Sequence, residues 1–519
     1  MDVLIIDLTH GGVKIAIELK KIGNFKHIFV YDIYNTLKNP DRNLLESYDI
    51  ELVEDMELLN NCNNLLVINP IHSPFNITEE LKNTDSTKKG NIKEISHHKA
   101  INLALDKWKV RVRNQNIPIV EVTGVKGKTS VVSMLKDILI KEDPLVLSSL
   151  GACLYKNEKK ILLKKNISIT PASTLETIKI AKKIANSDCS AINDFNDSYD
   201  WDNYILNYNS CLFESSLGVT GIGNIGILTN IVENYPIARN KSNAREAKKQ
   251  VFNCDFVVAE AETIAKYYPK EYIEMNDKIN IFSLSKETMI NDNEDKYNYR
   301  KNDYNIDNYD IKNISNLVID NIEYGLDKTN FDISYKNLKT IYGDVLNGSM
   351  KIETFAPGKH HVLNVLATIT ASLSLKIDKN IIKNSLLNFK GIIGRSSQKF
   401  LDGSRIIEEI NPGINIKAIE SSIEMIRDLN DYSIIIGGKY GITCEEIDDK
   451  KAAILLDDFI DKKDMNLILT DEVGKEIMKS MKNVVEYIQD PFEAQKIAIA
   501  NNKDILFIYR SNYSQLNKR

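Results

Sequence analysis

The chain has 519 residues, 43% of them apolar and 27% charged, with a formal net charge of -5 and a pI near 6.0. That length exceeds what one hydrophobic core supports, so two to four domains are expected. The acidic balance and scattered lysines, without a basic stripe, exclude a nucleic-acid binder, so any phosphate chemistry points to nucleotides.

Six cysteines (Cys62, Cys153, Cys189, Cys211, Cys254, Cys444) stand far apart with no C-x-x-C pair, a pattern that suits reduced thiols and offers no zinc or iron-sulfur framework. No apolar run reaches the length of a membrane span, and MDVLIIDLTHGG opens as a strand and glycine turn, not as a signal peptide. A cytoplasmic location without a membrane partner is expected; oligomeric state is not legible.

Residues 1–112 open with the buried-strand run VLIID, the turn THGG, the helical pattern VKIAIELKKIG and a second strand, HIFVYDIY. This is a Rossmann-like beginning, but Gly11-Gly12 is not G-x-G-x-x-G, so a plain strand-helix turn is the expectation there. A further strand, NNLLVINP, ends at Pro70, and RVRNQNIP reads as a linker. His10, His72, His97 and His98 are read as loop histidines, more often bystanders than contacts.

Residues 113–388 form the next region. Its strand PIVEVTG leads into Gly124-Val125-Lys126-Gly127-Lys128-Thr129-Ser130, two residues shorter than the familiar G-x-x-x-x-G-K-[ST] loop. The backbone of such a turn wraps phosphate oxygens, Lys128 reaches the β and γ phosphates, and the Thr129 hydroxyl holds magnesium. A helix with Val131, Val132, Leu135, Ile138 and Leu139 on one face follows, as a phosphate loop requires.

In NISITPASTLETI, a substrate-contacting turn at Thr170-Pro171 competes with a simple helix start capped by Ser173. Two tracts rich in Asn, Asp and Tyr, near 193–209 and 291–313, read as surface insertions or mobile loops. In CLFESSLG, Glu214 ends a short apolar strand, where it is either a second hard-oxygen ligand for the same ion or an ordinary strand-end carboxylate. In KSNAREAKKQVF, a helix capped by Ser242 sets Ala244, Ala247, Val251 and Phe252 on one arc with Lys248 in its middle, while Lys249 and Arg245 point outward. A lysine so placed is by pattern alone a snorkelling stem.

The helix HHVLNVLATITASLSLKI closes this region, and residues 389–519 alternate strands RIIEEI, YSIIIGG and LILTDE with helical stretches, another small mainly parallel sheet. The fold class is therefore α/β.

The run GVKGKTS, ESS, LTN, a lysine in AREAKKQVF, GKHHVLNVLA, a Gly-Arg before a strand ending in acids and a late GG turn recurs in the order seen in Mur ligases. The resemblance covers roughly 117–475, and the short loop is that family's own form. It implies three domains: a Rossmann-like N-terminal substrate domain, a central P-loop ATPase and a C-terminal Rossmann-like domain. It implies ATP and Mg2+ as cofactors, and a carboxylate activated as an acyl phosphate that a nucleophile then attacks. On the same footing Lys248 matches a lysine that becomes carbamylated and bridges magnesium, His360 and Asn364 match positions that hold adenine, and Arg395 with Glu409 matches a pair closing on phosphate and ribose.

Three departures accompany it. Tyr235 stands where the family often has a metal-binding His, His361 stands where an Asn is usual, and LILTDEVGK lacks the arginine that receives an amino-acid carboxylate. DLTHGGVKIAIELKKIG, VYDIYNT and EEINPGINIKAIESS are similar to a branch of the family that works on a nickel tetrapyrrole, whose own carbon would serve as nucleophile. On that resemblance Thr170, Pro171, Ser173 and His10 become candidate substrate contacts. An amide ligase adding an amino acid to a pseudomurein precursor or polyglutamyl-type cofactor, and a nucleotide-binding module without ligase activity, stay open.

Overall fold

The computed structural model describes residues 1–54, 56, 59, 62–77, 79, 91–186, 206–238, 240–284, 315–393, 395–411, 413–426, 432–442, 446–462, 466–501 and 504–511. By spatial clustering the chain forms two compact units. The first comprises Met1–Asp320, Ile333–Met350 and Leu363–Ile382; the second comprises Asn321–Asp332, Lys351–Val362 and Lys383–Arg519.

In the first unit, one sheet has the order Glu51–Leu52, Ile28–Tyr31, Asp2–Ile6, Asn64–Ile68, Asn91–Ile95, and every neighbouring pair is parallel. That order is the 3-2-1-4-5 arrangement of a dinucleotide-type fold. The apolar run of the first strand is buried from Val3 to Ile6, as a strand covered on both faces must be. Helix Val13–Ile22 follows the Gly11-Gly12 turn.

A second sheet in the same unit runs Pro144–Ser148, Ser210–Glu214, Ile119–Thr123, Ile225–Leu228, Phe256–Glu260, Ile279–Ser283, all parallel. Its strand ends carry the short glycine loop and Glu214 at neighbouring positions, because Val122 pairs with Glu214. An antiparallel pair, Gly151–Lys156 and Lys159–Lys164, covers one edge.

Helix Pro171–Asn186 joins the two sheets of this unit. Lys14 Nζ lies 2.6 Å from Glu176, the buried Glu18 pairs with Lys179, and a Cβ on Gly11 (φ 98°) would fall 2.3 Å from Ala172 Cβ. Only glycine lets the turn after the first strand press against the start of that helix.

Two expectations need correcting here. RVRNQNIP is not a linker: its first half is the end of helix Asp106–Asn114, whose Trp108 and Val112 are core residues. Of the polar tract near 193–209, residues 193–205 lie outside the described residues, and so does the tract 291–313. The end of the first tract is not surface, since Tyr208 is buried and accepts a 2.8 Å hydrogen bond from Trp108 Nε1. A polar composition concealed one aromatic whose hydroxyl has a buried partner.

The second unit holds a sheet of order Gly391–Ile392, Arg395–Leu401, Ser404–Ile410, Asp504–Arg510, Tyr432–Gly438, Asn466–Thr470, Glu486–Ile488. The first pairs are antiparallel and those from Ser404–Ile410 onward parallel. Among the described residues no helix is long and apolar enough to cross a membrane, and the described cysteines Cys62, Cys153, Cys211 and Cys254 are free thiols.

Candidate active site

The short loop is shaped by its supports. Gly124 (φ 143°) and Gly127 (φ 83°) both adopt backbone that favours glycine, and a Cβ on either would fall 1.9 Å from a fixed oxygen, Thr229 Oγ1 or Asn364 Oδ1. Between them, the Val125 N–H donates to Asn230 O (3.0 Å) and the Lys126 N–H to Asn230 Oδ1 (3.0 Å). Thr229 Oγ1 donates to Lys126 O (2.6 Å) and Asn230 Nδ2 to the same oxygen (3.3 Å). Sequence reading took LTN only as a family marker; its polar pair directly after a buried strand was the available clue that it braces the loop. Asn230→Ala removes the two bonds made by its side chain, each worth about 0.5–1.5 kcal/mol. It is expected to weaken ATP binding about tenfold or more in a calorimetric titration.

Helix Lys128–Ile138 starts at the loop. Lys128 Nζ donates to Gly124 O (3.1 Å) and Val125 O (3.2 Å), so the ammonium lies across the loop mouth. Thr129 is buried; its hydroxyl donates to Glu214 Oε1 (2.9 Å) and lies 3.0 Å from Ser149 Oγ. Ser149 N–H donates to Glu214 Oε2 (2.9 Å). Two hydroxyls and a carboxylate form an all-oxygen donor set, which fits a magnesium ion that keeps part of its water shell. Ser149 was not anticipated, since nothing distinguishes it in PLVLSSLG.

Lys248 is fully buried, and its Nζ donates to Ser216 O at 3.0 Å. Burial first, and the positive charge of Lys128 second, lower its pKa to about 7. The helix carrying it is only Ala244–Lys248, and its cap is Asn243, not Ser242: Asn243 Oδ1 accepts from the Glu246 N–H at 3.0 Å. Ala244, Ala247 and Val251 are buried with Lys248, Phe252 is half-buried, and Lys249 turns outward to Glu271 at 2.6 Å. A snorkelling stem keeps its head in water, and this amine does not. Tyr235 presents its ring 5.7 Å from Lys248 Nζ instead of a nitrogen donor.

A cavity of about 400 Å³ adjoins these groups and is lined by His10, His72, His98, Ser149, Thr170 and Ser216, among others. Ser149 and Ser216 are the residues bonded to Thr129 and Glu214 on one side and to Lys248 on the other. Helix Pro171–Asn186 begins with proline at its first position; Ser173 lies inside it, its hydroxyl 3.0 Å from Thr170 Oγ1, so Ser173 is not the cap. His97 and His98 are buried, not loop residues, and burial lowers their pKa values to about 4 and about 3. Both are neutral near pH 7.

Asn364 belongs to the first unit, against Gly127. His360, His361 and Glu409 group in the second, with the two imidazole centroids 3.8 Å apart and His361 Nε2 3.7 Å from Glu409 Oε1. Burial holds His361 well below the usual histidine range, and its Nδ1 accepts the Gly358 N–H. The register sets Arg395 opposite Glu409 on adjacent strands. In LILTDEVGK, Asp471 (φ 54°) is buried and accepts from Tyr509 OH at 2.5 Å. The neighbouring Arg510 is buried too, engaged by Lys439 O at 2.7 Å and Glu446 at 2.6 Å.

Residues 398–512 match the family model "Coenzyme F430 synthetase CfbE, C-terminal domain". The chain is 27% identical over 431 residues to a coenzyme F(430) synthetase of Methanosarcina acetivorans, covering 81% of this chain and 78% of that one. It is 25% identical over 522 residues to the coenzyme F(430) synthetase of Methanocaldococcus jannaschii, covering 96% and 98%. The chain is similar over most of its length to the coenzyme F(430) synthetases, a likeness that indicates an ATP-dependent ligase. Its fold resembles that of MurF from Acinetobacter baumannii with a TM-score of 0.55 at 12% identity, over 89% of this chain and 86% of that one. The α/β, Mur-like architecture expected from the motif order is the one observed.

Proposed function

We propose that this protein is a Mur-type ligase that activates a propionate carboxylate of a nickel tetrapyrrole, seco-F(430) acid, with ATP and closes a carbocyclic ring to give coenzyme F(430). The single observation behind this reading is the cavity whose wall residues Ser149 and Ser216 also bond the Thr129–Glu214 pair and Lys248. A carboxylate entering it arrives beside the phosphate loop.

In this reading the loop amides and Lys128 hold the ATP phosphates, Thr129 and Glu214 hold magnesium, and carbamylated Lys248 adds a second anionic ligand. Bound ATP supplies the phosphoryl group that makes the carboxyl a good acyl donor. Asn364, His360, Arg395 and Glu409 serve the nucleoside and phosphates. Thr170, Pro171, Ser173 and His10 position the substrate. Neutral His97 and His98 keep that wall uncharged and poorly hydrated, which protects an acyl phosphate from water.

The balance is simple. The carboxylate oxygen takes the γ phosphoryl and ADP leaves; the substrate's own carbon then attacks the acyl carbon, phosphate leaves, and that carbon gives up a proton. Tethering nucleophile and electrophile removes the entropy cost of collecting a second reactant. The engaged state of Arg510 and the Asp471–Tyr509 contact leave no arginine at LILTDEVGK to clamp an amino acid, which favours an intramolecular nucleophile. Free thiols suit a cytoplasmic setting.

The expected result is that ATP and Mg2+ alone convert the seco-precursor, with one ADP and one phosphate per ring and the loss of one water in the mass spectrum. Product formation only when an amino acid is supplied, with its mass added, would establish an amide ligase instead. Failure to release ADP with any carboxylate would leave a nucleotide-binding module.

A further inference from the structure

Beside the same cavity, His10 converges with Asp7 and His72, two side chains that have no part in the ATP-dependent chemistry above. Asp7 Oδ2 lies 2.8 Å from His10 Nδ1 and 3.0 Å from His72 Nε2, and the two imidazole nitrogens are 2.9 Å apart. The three donor atoms make a nearly equilateral triangle, and Asp7 itself is fully buried.

Protons account poorly for this triangle. If both nitrogens carry hydrogens toward the carboxylate, they face each other at 2.9 Å with no acceptor between them. If one is deprotonated, a single N–H must serve both the carboxylate and the other ring. A metal ion satisfies all three atoms together: imidazole and carboxylate ligands about 2.0–2.2 Å from an ion, roughly at right angles to one another, stand about 3 Å apart.

We propose that Asp7, His10 and His72 form a binding site for one divalent first-row transition ion. Two imidazoles and a carboxylate are the donor set of a facial triad with open positions. Nitrogen donors favour zinc, nickel or cobalt and disfavour magnesium, which separates this site chemically from the all-oxygen set at Thr129 and Glu214. One carboxylate charge leaves a divalent ion with net positive charge.

The backbone is built for the arrangement. Asp7 sits at φ 65°, and its second oxygen, Oδ1, accepts the Thr9 N–H at 2.9 Å, which aims Oδ2 at the two rings. A Cβ on Gly12 would lie 2.4 Å from Asp7 O, and Gly11 presses on Ala172, so the turn carrying His10 has little freedom. Strain of this kind persists where the surroundings over-determine it. The His10 and His72 side chains are 45% and 25% exposed, which leaves the ion reachable from solvent. Both line the cavity, so the ion's open positions are available to an oxygen donor of whatever the cavity holds.

The test uses the full chain, stripped with a chelator and free of nucleotide and substrate, so its outcome is independent of the ring-closure reading. Cobalt(II) is titrated in and followed by its visible ligand-field bands, and zinc(II) by calorimetry. One ion per chain is expected, with affinity falling about 100-fold or more in His72→Ala and in Asp7→Asn, and unchanged in Glu214→Gln. His72 is part-exposed, so its variant stays folded by circular dichroism even if the Asp7 variant does not. No saturable binding, or binding that survives His72→Ala or disappears in Glu214→Gln, would show that the triangle is a protonic network and overturn the site.

Discussion

Lys128→Ala is expected to reduce ADP formation by at least about 10²–10³-fold, the usual cost of removing a preorganised charge aimed at a transferring group. Its two hydrogen bonds, at 3.1 and 3.2 Å, go to loop carbonyls at a part-buried position. The melting temperature should therefore change little, by the equivalent of about 1 kcal/mol or less. Lys128→Arg should rescue poorly, because a planar guanidinium does not replace a compact ammonium in a loop two residues shorter than usual. A steady-state assay of ADP release beside a thermal melt checks both statements. Near-normal turnover in the alanine variant would remove the phosphate-loop role.

Lys248→Met should abolish turnover and yet stabilise the fold near neutral pH. The wild-type amine has a folded pKa of about 7 against the ordinary lysine value of 10.5, lowered mainly by burial. Between those values the unfolded chain binds more protons than the folded one, so wild-type stability rises with pH across that window and is least favourable below pH 7. Methionine escapes this cost, so its advantage in melting temperature should be largest below pH 7 and shrink toward pH 10. A neutral amine near pH 7 is also the form that captures carbon dioxide, so wild-type activity should rise through pH 7 and respond to bicarbonate. Labelled bicarbonate should give a carbamate resonance that is absent from the variant and that added bicarbonate cannot restore. Lys249→Ala, which removes the outward-facing partner of the buried Glu271, should leave turnover nearly unchanged. Equal losses at the two positions would make Lys248 a structural residue.

Much of the fold is legible by period and punctuation. VLIID, YSIIIGG and the helix face from Val131 to Ile138 are buried as their patterns require, because strand and helix periods depend only on local geometry. The misreadings have one origin. Ser242 and Ser173 are good cap residues by type, but Asn243 and Pro171 took the helix starts because neighbouring segments fix where each helix begins: Tyr235 O accepts the Ala244 N–H, and Ile169 O accepts the Ser216 N–H. Tyr208 lies in a tract of surface-like composition, yet Trp108, a hundred residues earlier, draws it into the core.

The sequence by itself pointed to nucleotide chemistry, because a loop of two glycines with Lys128 and Thr129 has, within one turn of chain, the spacing expected of a phosphate-binding turn. Only the tertiary structure decided which residues brace and complete it. Asn230 lies 104 residues from Lys126, Glu214 lies 85 from Thr129, and His72 lies 62 from His10. Such contacts come from parallel strands that end side by side at one edge of a sheet. Period and spacing describe a chain along its length, whereas that adjacency is set by which strand pairs with which.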